Sequence, residues 1–255
     1  DTLNDGICVI DGGEVLPWLT YREGTPIPSN VQFVFSNCGT GQETLSPGSA
    51  PMYSVGTMLE GGSYPYYYGT LKNYARIYDI PFVGFTNPTG GHEFGFGPDG
   101  KYGLDVYDAF YEVANYWLKD DNAILKYIDI GAKTTEVKTS PVILFQFTGP
   151  IPENEIQKVS ITDDATGEAA QGVWKPSYGN TTWEFYGNHL KGGAAYTVNV
   201  PQTVLAENGK PLAAAKALQF KTKHESRKDA AAMASNADMT LLKTESTDNG
   251  VFLVY

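Results

Sequence analysis

The chain has 255 residues, with 18 Lys plus Arg against 29 Asp plus Glu and a formal net charge of −11. That balance excludes a phosphate-backbone partner, which needs clustered cations to release counterions, and no apolar run reaches the ~20 residues that cross a bilayer. The length fits one large domain or two smaller ones, and 13% aromatic residues supply a sizeable core.

The sequence begins at Asp1 with neither Met nor a charged-then-apolar leader. This reads as a processed secreted protein or as a piece of a longer precursor. With 28 Gly, 17 Tyr and only 18% charged residues, the composition is that of an exported rather than a cytosolic protein. Cys8 and Cys38 lack the close spacing of a zinc or redox site. One disulfide and two buried thiols are both open readings.

Residues 1–138 alternate in character. Short β-branched or apolar runs at 7–10, 31–35, 52–55 and 80–85, bounded by Gly, Pro and Asn, predict buried strands. Between and after them, Leu71, Tyr74, Ala75 and Tyr78 follow helical spacing, as do Tyr107, Phe110, Tyr111, Ala114, Trp117 and Leu118. Strands alternating with helices predict a parallel sheet covered by helices, an α/β segment.

Residues 139–224 change rhythm. Strands are predicted at 142–147, 157–162, 182–186, 196–200 and 218–222, separated by turn-formers such as Ser177-Tyr178-Gly179-Asn180 and Asn208-Gly209. In the first, Phe145 and Phe147 alternate with Gln146, as in a half-buried strand. About 85 residues at this strand spacing is the size of a β-sandwich, and no helix is needed. The last segment, 225–255, reads as a linker or short helix at 229–237 and an apolar terminal strand at 251–255, which must pair with a sheet edge of this chain or of another molecule.

Three histidines limit acid-base chemistry near neutral pH. His189 and His224 fall in or after sandwich turns and read as solvated surface residues. His92 stands in Gly90-Gly91-His92-Glu93-Phe94-Gly95, after the run at 80–85. Loops at the carboxyl ends of parallel strands are where α/β sheets place ligands and catalytic groups. A loop histidine bonded to backbone is the plainer reading. No residue spacing predicts a metal site, and no cofactor is expected. Tyr64, Tyr66, Tyr67 and Tyr68 offer either a stacking platform for sugar rings, through Tyr66 and Tyr67, or packing for a helix start.

Tyr78-Asp79-Ile80-Pro81-Phe82, the glycine-rich histidine loop and the helix ending at Trp117-Leu118 resemble the last strand, histidine loop and final helix of the α/β-hydrolase fold. The likeness is greatest to secreted esterases that act on decorated plant polysaccharides. Met52-Tyr53-Ser54-Val55-Gly56-Thr57 is similar to the preceding strand, after which that family places the triad acid. The resemblance implies His92 as general base and Glu60, the nearest carboxylate, as the group orienting it. The nucleophile elbow Gly-x-Ser-x-Gly is missing, since Ser63 is preceded by Gly61 but followed by Pro65. The serine would therefore come from outside this chain.

The second region resembles bacterial Ig-like domains of surface-layer and exported proteins. The likeness rests on Phe145-Gln146-Phe147-Thr148-Gly149-Pro150, Thr182-Trp183-Glu184-Phe185 and Asn208-Gly209-Lys210-Pro211-Leu212. The expected architecture is thus a partial α/β-hydrolase-like parallel sheet with helices at 1–138, an all-β Ig-like sandwich at 139–224, and a linker with a terminal strand at 225–255. The function implied is a secreted or surface serine carboxylesterase acting on a carbohydrate or other polymer ester. Its expected partners are a polysaccharide and a second polypeptide, an N-terminal half or another subunit, that covers the sheet edge. The alternative is a non-catalytic structural or adhesive bacterial surface protein that assembles through exposed strand edges.

Overall fold

Beta-branched and aromatic runs closed by Gly, Pro and Asn build the first layer of the protein. In the computed structural model the described residues are 6–11, 31–37, 51–57, 64–87, 103–131, 133–224, 243–247 and 250–254. Strands β1 (Gly6–Asp11), β2 (Val31–Asn37), β3 (Met52–Thr57) and β4 (Phe82–Asn87) pair in parallel in that spatial order. Helix α1 (Tyr64–Ile77) starts earlier than the apolar spacing predicts, with Pro65 in its first turn, where the missing N–H is one the helix leaves unpaired anyway. It packs on β3 and β4, while α2 (Gly103–Lys119) packs on β2 and β3. Phe33, Tyr53 and Val83 from the sheet meet Val113 and Ala114 of α2 in a small core.

The larger part is antiparallel. Strands β5 (Leu125–Asp129), β6 (Val142–Phe147), β9 (Thr182–Gly187) and β8 (Gly172–Ser177) form one sheet in that order. Strands β11 (Lys216–Lys221), β10 (Ala195–Val200) and β7 (Ser160–Asp163) form the other. A single turn, α3 (Glu153–Ile156), interrupts the β6–β7 connection where no helix is expected from the sequence. Period-two alternation sends Ile143, Phe145, Phe147, Trp183 and Phe185 inward from one sheet and Ile161, Tyr196, Val198 and Phe220 from the other, into one shared core. The indole N–H of Trp183 donates to the Ile151 carbonyl at 3.0 Å, which lets its full burial carry no unpaired donor.

The two parts share side chains at their contact. Trp117 packs against both cores, and Tyr116 belongs to the core of the sandwich. Its ring lies so close to Gly149 that a β-carbon there would come within 2.1 Å of it. A third unit, β12 (Lys243–Thr247) with β13 (Gly250–Val254), is an antiparallel hairpin. The apolar terminal strand thus finds its partner in a polar segment just upstream.

Two expectations are corrected here. An α/β class does not describe this chain, because nine of the thirteen strands among the described residues lie in antiparallel sheets and the helices are three, one of them a single turn. The protein is β-rich, and the parallel layer is its smaller part. The hydrolase-like reading of residues 1–138 inferred a whole fold from one strand, loop and helix succession, a local pattern that many layered proteins share.

Candidate functional site

His92 and Glu60, the expected catalytic pair, lie outside the described residues, as does Cys38. Tyr66 and Tyr67 stand in the first turn of α1, and Cys8 is in β1 opposite Val34 of β2. His189 and His224 are exposed, as expected, and His189 adopts a left-handed backbone with φ 49. The Asn180-Thr181-Thr182 triplet resembles a glycosylation acceptor, but both threonines are fully buried.

What the fold does assemble is a junction between the parallel layer and the sandwich. The β8–β9 turn carries three successive left-handed residues, Tyr178, Gly179 and Asn180, with φ of 54, 56 and 62. Only Gly179 adopts this region without a side-chain penalty, so surrounding contacts must hold the turn. Asp79, itself left-handed at φ 52 just past α1, accepts the Gly179 N–H on its carboxylate at 2.7 Å. A β-carbon on Gly179 would lie 2.7 Å from Pro81 Cγ. Beside it the rings of Tyr178 and Phe82 meet at 5.7 Å. Burial pushes the Tyr178 phenol above its ordinary value, partly offset by the charge of Arg76 in α1.

Thr181 completes the contact. Its hydroxyl accepts the Phe82 N–H at 3.4 Å and stands 3.1 Å from the Phe82 carbonyl and 2.7 Å from the Tyr178 carbonyl, so one proton is shared between two acceptors. The Gln146 amide reaches the same Phe82 carbonyl at 3.5 Å. Gln146, Thr182 and Ser177 occupy one cross-strand row of β6, β9 and β8, which the parallel layer covers from outside. The sequence marks 177–180 as a turn, but nothing in it names Asp79, Pro81 and Phe82 as what the turn meets.

The strand edges differ in how they are closed. The β7 edge is covered by residues 168–170, with Ala170 N–H on the Ile161 carbonyl at 2.7 Å. The last residue of β11, Lys221, bonds the Thr134 carbonyl and the Val137 N–H. On β5 the Lys126 carbonyl accepts the Lys216 ammonium at 3.2 Å. Strand β8 carries Pro176 and Lys175, and the Asn188 N–H to Gln171 carbonyl bond at 2.8 Å sets the alternation so that Pro176 faces away from β9. An outward proline and a lysine are how proteins blunt an exposed edge. Among the described residues β1 pairs only with β2, and β12 and β13 pair only with each other.

A polar cleft of about 240 Å³ opens between the β7–β8 connection and residues 188–191, with Asp163, Glu168, His189, Lys191 and Tyr196 on its walls. The Asp163 carboxylate is already committed to the backbone N–H groups of Ala165 and Thr166, at 2.8 and 3.3 Å. Among the described residues no group of three His, Cys, Asp or Glu is placed to hold a metal ion. No helix among them is long and apolar enough to cross a membrane.

No protein-family model matches the chain, and no curated protein matches its sequence. Solved structures similar to it include the MG0-NIE-MG1 portion of alpha-2-macroglobulin from Escherichia coli, at 14% identity and TM-score 0.32 over 41% of this chain and 33% of that one. Another is the N-terminal part of the bacterial S-layer protein SbsC, at 14% identity and TM-score 0.33 over 48% of this chain and 28% of that one. A third is CopC from Methylosinus trichosporium OB3b, at 18% identity and TM-score 0.32 over 42% of this chain and 98% of that one. The chain thus spans a third or less of the macroglobulin and S-layer chains. At these TM-scores the likeness carries no argument about activity. Membership in the α/β-hydrolases is corrected: the antiparallel sheets, which hold nine of the thirteen strands among the described residues, overturn it.

Proposed function

We propose that the chain is a non-catalytic structural module of a secreted or cell-surface bacterial protein, and that it associates with other chains through strand edges. The observation that carries this is the contrast between edges. Each outer strand of the sandwich is met at some point by a covering segment, a lysine or a proline, whereas β1 of an all-parallel layer has a backbone neighbour on one side only among the described residues. Parallel sheets occur almost only where they are buried, so such an edge is suited to a partner strand. The Gly- and Tyr-rich, weakly charged composition fits an exported setting.

The reading is tested by surface labelling of intact source cells together with an ester-hydrolysis assay of the purified chain. The expected result is labelling from outside, and hydrolysis no faster for the wild type than for His92→Ala. A rate that collapses in His92→Ala would overturn the non-catalytic reading, and failure of the label to reach the protein on intact cells or in the medium would overturn its location.

A further inference from the structure

We infer that the sandwich is a load-bearing link, a clamp that resists tension drawn along the chain between the parallel layer before it and the β12–β13 hairpin after it. This goes beyond the strand-edge reading and does not depend on it. Segments 123–129 and 134–137 lie in turn beside 213–216 and 221–223, and the two runs point the same way. At the entry the Ala213 N–H donates to the Ala123 carbonyl at 2.9 Å. Midway the Lys216 ammonium reaches the Lys126 carbonyl at 3.2 Å. At the exit Val137 and Thr222 form a parallel bridge, with the Lys221 N–H on the Thr134 carbonyl at 2.5 Å, the Val137 N–H on the Lys221 carbonyl at 3.0 Å and the Lys223 N–H on the Val137 carbonyl at 2.7 Å. Both bridge residues are buried.

Direction decides what these bonds do under load. The chain enters at residue 123 and leaves at 223, at opposite ends of the contact, so tension draws the first run back toward its start and the last run on toward its end. Parallel segments pulled in that way must slide past each other, which strains the bonds between them together. Segments pulled apart from one shared end would instead lose their bonds one at a time. Both ends of the contact are also fastened to the rest of the sandwich. At the entry the Asn122 amide donates to the Pro211 carbonyl at 2.8 Å, the Asn208 amide to the Asp121 carbonyl at 2.9 Å, and the Lys210 ammonium pairs with the Asp120 carboxylate at 3.0 Å. At the exit the Thr222 N–H meets the Ala194 carbonyl and the Gly193 N–H the Lys223 carbonyl, each at 3.0 Å, while the Thr222 hydroxyl donates to the Lys191 carbonyl at 2.6 Å. Forced unfolding follows the unfolding rate, so contacts that must break before the core opens set the resistance.

The experiment is stretching of single full-length 255-residue chains in optical tweezers, with handles either on the two termini or on the C-terminus and an azido residue in place of the exposed Glu136. The first geometry slides 134–137 along 221–223, and the second peels them apart from the exit. Opening of the sandwich is recognised by the length it releases, roughly 300 Å for ~100 residues. At one fixed force, opening from the termini is expected to be roughly tenfold slower or more than opening from position 136, because further bonds must break in the same step. Lys223→Pro, at an exposed position, removes one exit bond and is expected to speed opening from the termini about fivefold, as the loss of one backbone hydrogen bond implies. Equal rates in the two directions overturn the clamp, since a contact that merely stabilises the fold does not distinguish directions, and they leave the strand-edge reading untouched. A Lys223→Pro protein that keeps its circular dichroism and opens from the termini at the wild-type rate overturns it too. Should Lys223→Pro fail to fold, the two pulling directions decide alone.

Discussion

Glu155 shows how a residue near the surface can tie distant segments together. From the single turn α3 its carboxylate accepts the Lys158 ammonium at 2.5 Å and the Leu205 N–H at 2.8 Å, fastening the β10–β11 connection to the β6–β7 connection. The Lys158 hydrogen bond, then the Leu205 amide, holds the Glu155 carboxyl below the ordinary carboxylate range. A folded-state pKa below the unfolded one gives stability that is fully present above the unfolded value, roughly 4.3, and is lost as pH falls through the folded value. In urea unfolding, the midpoint is therefore expected to drop on going from pH 5 to pH 3. Glu155→Gln should start lower at pH 5 and drop less; an equal drop would remove Glu155 from the acid response. The sequence places Lys158 three residues from Glu155, but the second partner, the Leu205 N–H, stands 50 residues away and is set by the fold.

At the scale of elements, legibility followed polarity. The strands at 31–37, 52–57, 142–147, 182–187 and 195–200 are β-branched or aromatic runs between turn-formers, and their positions could be read directly. Strands β5, β8 and β12 were not predicted. Their sequences, Leu-Lys-Tyr-Ile-Asp, Gly-Val-Trp-Lys-Pro-Ser and Lys-Thr-Glu-Ser-Thr, carry the charges and proline that edge positions tolerate, so they read as loops. The proline of β8 is testable on these terms. Pro176→Val restores an outward N–H beside those of Gly172 and Trp174, and light scattering on heating is expected to show earlier association with little change in circular dichroism at 25 °C. Unchanged scattering would mean that Pro176 does not guard the edge.

Across the whole molecule, two folding units of different pairing are joined through Trp117, Tyr116 against Gly149, and the turn at Tyr178 to Thr181. The third contact is the one a single substitution can loosen without entering either core. Gly179→Ala adds a β-carbon 2.7 Å from Pro81 Cγ to a residue at φ +56. The left-handed conformation alone costs an alanine about 1–2 kcal/mol. Amide exchange is expected to quicken across β3 and β4 while β6 and β9 keep wild-type protection. Equal acceleration in both parts would show that the turn stabilises the sandwich itself rather than the junction.

The sequence by itself determined most of what depends on near neighbours. The inward Phe145 and Phe147 and the turns at 177–180 and 208–209 could be read from it. Each follows from periodicity or turn chemistry, which are local. Only the tertiary structure decided which segments meet the outer strands of the sandwich, that Thr181 bonds both backbone groups of Phe82, and that antiparallel sheets hold most strands among the described residues. Those outcomes depend on which backbone groups face one another across about 100 residues of chain, as in Thr181 with Phe82. A hydrogen bond at that separation leaves no periodic trace in the sequence, because either side chain alone is an ordinary residue of its strand or turn.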